Sequence, residues 1–329
     1  MPIGKADLIL YGSATMPDDD STLNIGGAID TAKKVTFKDI DPAGNVQIVS
    51  SAAGDITQTV TVTGRDAAGS IISEVKTLNG TTVVAMTTNT TWERLLKAVK
   101  SATTTGDVAV EAVTAENSGT AQAGAANTIT LAAAASATDE FYTGMLVRLT
   151  GGTGSGQIRE IIGYVGATKV ATVSRAWTTN PDATTTYKVS EGMVFDKSPA
   201  EITQVRRAFY NASAPASGTR DYFEKVFYKN THATLALTTA VVKEQADPSG
   251  KVTFGLPATK GDTGGNGAGN NRQVAPAGIT FASTDVNVPE AGQQLTAGQA
   301  IGVWLKLSLA AADSPQDTTY TVRLSGNTV

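Results

Sequence analysis

TGMLVRLTGGTGSGQIREIIGYVGATKVATVSRAWTTNPDATTTYKV, residues 143–189, is the stretch whose reading decides the fold class. Apolar and polar residues alternate through 145–149, 157–164, 169–173 and 186–189, which is the period of a half-buried strand. Glycines at 151, 152, 154 and 156 separate the first two runs, and Asn180-Pro181-Asp182 precedes the last. Both are turn compositions. The stretch reads as a small β-module, barrel-like or sandwich-like, and predicts an all-β chain.

The pattern continues toward the N-terminus. Residues 56–63 (ITQTVTVT) alternate apolar with polar. Residues 64–69 turn the chain and 71–78 return it. Asn79-Gly80 is a hairpin signal because both positions tolerate positive φ. With runs at 35–37, 46–49 and 83–86, these strands form a meander of the kind found in sandwiches. Residues 91–100, TWERLLKAVK, fit a helix through Trp92, Leu95, Leu96 and Val99 and a strand through Leu95, Lys97 and Val99. A strand is preferred, since it closes a hairpin with 107–113. Residues 114–127 are small and polar and predict a boundary. The first 30 residues hold one short apolar run, 6–11, and predict an arm, in a strand or an extended tail.

Toward the C-terminus, 190–197 reads as a linker. Ser198-Pro199-Ala200-Glu201 has the form of a helix capping box, which leaves 202–209 as a short helix or a strand. Residues 222–228 (YFEKVFY), 234–243, 251–256, 301–309 and 318–324 read as strands. Residues 257–278 read as a Gly/Asn-rich loop, with 261–268 within it as a flexible loop. The expected organisation is an arm at 1–30, a β-sandwich at 31–117, a separable inserted module at 118–190 and a C-terminal β-sandwich at 191–329.

Composition narrows the function. The 329 residues carry a net charge of −4, with 17% charged and 41% hydrophobic residues. The charged share is below the usual ~25%, and Thr, Ala, Gly and Ser take its place. Lys and Arg are scattered, with Lys33-Lys34 and Arg206-Arg207 the nearest pairs, so the basic face of a nucleic-acid binder is not predicted. There is no Cys, which excludes disulfides, thiolate zinc sites and Cys nucleophiles. No apolar run approaches the ~18 residues of a membrane span. The N-terminus lacks the apolar core of a signal peptide, and synthesis in the cytoplasm is expected.

No motif carries recognisable chemistry. Gly151 and Gly156 have the spacing of a phosphate loop, but Gln157 and Ile158 replace its Lys and Ser/Thr, so a hairpin turn is expected. Asp39, Asp41 and Gly44 match part of a calcium loop, yet Ala43 and Ser50 stand where oxygen ligands belong, and a turn is again expected. Asp18-Asp19-Asp20 reads as a solvated acidic turn. His232 is the only histidine, in a Lys-Asn-Thr-His-Ala context that looks like a turn before a strand. Residues 261–268 hold three collagen-like triplets without the Pro or length of a collagen helix. Trp92, Trp177 and Trp304 are isolated and predict core or interface anchors. Catalytic, cofactor and metal residues are therefore expected to be none.

Residues 58–82, QTVTVTGRDAAGSIISEVKTLNGTT, resemble the first Ig-like β-domain of tailed-bacteriophage virion proteins. Residues 202–210 (ITQVRRAFY), 222–233 (YFEKVFYKNTHA), 244–254 (EQADPSGKVTF) and 302–324 (GVWLKLSLAAADSPQDTTYTVRL) are similar to the later part of the same group. Residues 152–177 resemble a small β-module that recurs in phage structural proteins. The resemblance implies antiparallel Ig-like β-sandwich domains around a small β-barrel-like module. It implies a non-enzymatic building block of the virion, made in the host cytoplasm, without cofactors, nucleic acid or membrane as partners. The leading expectation is a decoration (cement) protein, a homo-oligomer that binds the major capsid protein and bridges its subunits. The alternatives are a tail, baseplate or fibre component and a surface carbohydrate-binding adhesin.

Overall fold

Alternation becomes strand along nearly the whole chain in the computed structural model, which describes residues 2–313 and 320–328. Residues 1–35 supply β1 (Leu8–Thr15) and β2 (Gly26–Lys34). Next come β3 (Val46–Ser50), β4 (Thr59–Arg65), β5 (Ile71–Thr77), β6 (Val84–Ala85), β7 (Arg94–Lys100) and β8 (Val108–Ala112). The central stretch forms β9 (Asn117–Thr120), β10 (Ala123–Ala125), β11 (Thr128–Thr130), β12 (Leu146–Gly151), β13 (Ile158–Val165), β14 (Val170–Val173) and β15 (Thr186–Ser190). Then follow β16 (Gly192–Phe195), β17 (Gln204–Arg206), β18 (Thr219–Asn230), β19 (Leu237–Ala246) and β20 (Val252–Gly255). The last are β21 (Val286–Asn287), β22 (Ala300–Ala310) and β23 (Thr321–Thr328). The protein is all-β, and the described residues form no α-helix, only short 3-10 turns at Lys5–Asp7 and Ala291–Gln293.

The chain divides into two compact units, 1–35 with 208–329, and 36–207. In the first, the order β20-β22-β18-β1-β2 runs through one sheet and β21-β19-β23 makes another. Strands β18 and β22 pair antiparallel without a register shift from Thr219↔Ala310 to Lys229↔Ala300. Both faces of this pair are covered. Val226, Tyr228, Ile301, Val303 and Leu305 meet Leu237, Val242 and Leu324 of the smaller sheet. On the opposite side Phe223 and Trp304 pack with Ile25, Ile279 and Phe281. Gly26 lies under Trp304 at φ +90, and a Cβ there would come within 2.7 Å of the indole, so the position takes no side chain.

In the second unit, β17-β7-β4-β5 and β16-β8-β3-β6 are ordered sheets, and the central stretch makes a third, β10-β11-β14-β13-β12-β15-β9. Its core holds Ile129, Tyr142, Val147, Ile161, Tyr164, Trp177 and Tyr187. The module is an open sheet rather than the expected barrel. Strands β9 and β10 lie at opposite ends of its order, and the described residues show no pairing between them.

Several expectations fail for identifiable reasons. Residues 1–30 are no arm: β1 lies between β18 and β2. The β2 sequence GGAIDTAKK hides its strand because it offers few apolar residues to alternate. The run at 35–37 is not a strand. The linkers at 114–127 and 190–197 instead hold β9, β10 and the fully buried β16. Of the two readings left open for 202–209 the strand holds, as the short β17 (Gln204–Arg206), while the Glu201 carboxylate is taken by Lys100 and by the Thr104 amide instead of capping a helix. The 118–190 segment packs on its flanks. Leu146 and Ile158 share a core with Val49, Ala109 and Val194. The boundaries expected at 30, 117 and 190 thus differ from the division at 35 and 207. The strand expected at 318–324 begins outside the described residues.

Candidate functional site

The glycine loop between β12 and β13 is a turn. Gly152, Gly154 and Gly156 all have positive φ, and a Cβ on Gly152 would sit 2.1 Å from the Thr184 carbonyl. Gln157, where a phosphate loop needs lysine, donates to the Thr179 carbonyl at 2.8 Å and accepts from the Thr178 amide at 2.7 Å. Thr185 donates to the Thr153 carbonyl. The two tips of the module are bonded to each other, so their polar groups are not free for a phosphate.

The partial calcium loop is likewise consumed. Asp39 accepts the Leu95 amide at 2.7 Å and pairs with Arg94 and Arg207. Among the acidic turn, Asp19 accepts the Ser21 and Thr22 amides, and Asp20 pairs with Arg272 and Gln273. His232 accepts the Thr234 and Leu235 amides through Nδ1, which makes it a turn cap. Trp92, Trp177 and Trp304 are all buried. Among the described residues, no three His, Asp or Glu side chains gather as metal ligands would.

Sequence reading missed the buried charges. Glu111 stands in the fully buried β8, opposite Arg148 at 2.8 Å, Lys188 at 3.3 Å and the Gln47 amide at 2.6 Å. Burial works against its charge, but the Arg148 and Lys188 cations and the Gln47 bond outweigh it and hold the carboxyl below its usual range. Asp107 binds Arg159 at 2.9 Å, Arg175 at 2.6 Å and the Lys197 amide at 2.8 Å. Arg159 also donates to the Ile158 and Ala176 carbonyls and lies against the Trp177 ring. In both clusters the cations belong to the central sheet and the carboxylate to β8 or the residue before it.

Lys225 and Arg272 do similar work in the other unit. Lys225 donates to the Gly27, Asp262 and Gly264 carbonyls and to the Asp262 carboxylate, between the Phe227 and Trp304 rings. Arg272, stacked on Tyr222, donates to the Tyr210 and Asn211 carbonyls and pairs with Asp20. The 257–278 segment is therefore a clamped loop, not a flexible one. The sequence signal was available in Glu224-Lys225, a charged pair inside the apolar run YFEKVFY. Replacing Lys225 by Met leaves four oxygens without their donor. We expect a loss of about 3 kcal/mol in urea unfolding, with new protease cleavage inside 257–278.

Glu191 differs from these carboxylates. It is 4% exposed and sits between β15 and β16, where its Oε2 accepts the Asp41 amide at 2.6 Å. Burial pushes it up to about 7, Glu116 and Asp41 add to the rise, and the Asp41 amide and Lys38 oppose it. It lies in the one-residue link between two buried strands. The buried charges of Glu111 and Asp107 tie the central sheet to β8 and the residue before it. No known family, curated protein or solved structure matches the chain.

Proposed function

We propose that the chain is a non-enzymatic virion structural protein, a decoration protein that binds the outer face of a phage capsid and bridges its major capsid protein. The observation that carries this reading is where the virion-like sequences fall. Residues 58–82 cover the β4–β5 hairpin, and 222–233 and 302–324 cover the long β18–β22 pair and lead into β23. These stretches of resemblance fall on strand pairs, the parts that set a β-domain's shape. The charge clusters add support of another kind. A Cys-free chain that must persist on a particle is held here by buried ion pairs between strands.

The test is copy number. In purified virions the chain is expected at a number comparable to the major capsid protein, read by quantitative mass spectrometry. A ring-like number of about six or twelve places it in the tail instead, the symmetry-bound alternative. Absence from particles removes the virion reading altogether.

A further inference from the structure

The Glu191 carboxyl is buried without a cation to balance it. It has one hydrogen-bond donor, the Asp41 amide at 2.6 Å, and no ion-pair partner among the described residues. Glu111 and Asp107, buried in the same unit, have two cations each. A carboxyl in Glu191's position favours its protonated form. Its surroundings reinforce this. Glu116, ahead of β9, and the Asp41 carboxyl strengthen its hold on the proton, and Lys38 opposes them. On β8 the Ala112 amide donates to the Glu191 carbonyl, and the charged residue there, Glu111, is neutralised by Arg148 and Lys188. Asp39 is taken by Arg94 and Arg207. Two carboxylates and one cation, all three exposed, thus bear on Glu191.

The Asp41 amide belongs to a strap, residues 38–44, whose ends are fixed. Lys38 exchanges both backbone bonds with Gly192, and Gly44 does so with Trp92. Ile40 is buried. Of residues 41–43, the Asp41 amide makes the one hydrogen bond to the rest of the unit. We propose that Glu191 is a proton-operated latch on this strap: the protonated carboxyl holds residues 41–43 down, and loss of the proton releases them. Lys38 and Asp41 are exposed, so lifting 41–43 is what brings water to the new charge. The opposing effect is the stronger bond that a carboxylate offers an amide. One such bond is too few. Glu74 stays ionised on three amides and Lys76, and Asp55 on two amides and the Ser50 hydroxyl. The release is a local opening, since the bridges at 38 and 44 and the Ile40 side chain stay in place. It falls near neutral pH, because Glu191 titrates at about 7. The inference concerns the isolated chain and does not depend on the virion reading, which is tested on particles.

The Asp41 amide reports the latch directly. Its hydrogen exchange, followed by NMR in the full-length chain and corrected for the intrinsic rate, should quicken by about tenfold between pH 6 and pH 8. Glu191→Gln should abolish that change. Two exposed neighbours tune the midpoint in opposite senses: Glu116→Gln should move it to lower pH and Lys38→Gln to higher pH. An Asp41 amide that stays protected at pH 8 and shifts downfield overturns the proposal, because the bond has then tightened on ionisation. So does a pH dependence that survives Glu191→Gln, or a midpoint that neither neighbouring substitution moves.

Discussion

Arg159→Met is expected to lower stability by about 3 kcal/mol, seen as a fall in the urea midpoint at unchanged slope. The side chain is 2% exposed, and its removal leaves Asp107 buried with one cation fewer. The Ile158 and Ala176 carbonyls also lose a donor. Arg175 still reaches Asp107 at 2.6 Å, which keeps the loss from being larger. Arg175 itself is 26% exposed, and Arg175→Met should cost only about 1 kcal/mol. Adding Asp107→Asn to Arg159→Met removes the uncompensated charge and should recover part of the loss. If Arg159→Met unfolds at the wild-type midpoint, the cluster does not hold the central sheet to β8.

Glu191→Gln is expected to act in the opposite direction and only at high pH. The folded carboxyl titrates at about 7, above its ordinary value of 4.5. The folded state therefore holds a proton that the unfolded state has released between these two values, and stability falls as pH rises through that window. Above pH 7 the cost is complete, and below 4.5 both states are protonated and it vanishes. The substituted amide keeps an oxygen for the Asp41 N–H without the charge. The variant should be more stable than the wild type by about 1–2 kcal/mol at pH 8, after discounting for solvent screening, and equally stable at about pH 4.5. Glu74 and Glu201, both held at about 2, lose stability only on further acidification and are common to both proteins. A pH-independent difference between variant and wild type would refute this assignment.

The strands were legible where apolar and polar residues alternate. Residues 56–63 predict β4, whose burial alternates residue by residue, and Asn79-Gly80 marks the turn that follows β5. Strand β2 was not legible, since a strand held through its backbone ladder needs few apolar residues of its own. The choice between helix and strand after 198–201 was not legible because a local motif competes with distant partners, here Lys100 and Thr104. The packing of the central module on its flanks was not legible for a related reason. The charges that bind it to β8 lie in different parts of the chain, and nothing in the sequence says that Glu111 faces Arg148 and Lys188. What the sequence does show is a charge inside an apolar run, as in VAVEA and YFEKVFY. That signal marks the buried clusters without naming their partners.

The placement of β1 between β18 and β2 has a consequence for biosynthesis. Residues 1–35 leave the ribosome well before the strand they pair with, which lies beyond residue 218. The 36–207 unit contains all its own strands and is free to form while the chain is still growing, as domains do. The leading segment must wait, unpaired on the β18 side, until Thr219–Asn230 emerges. Its modest apolar content, which made it look like an arm, is what such a segment needs to remain soluble during that interval.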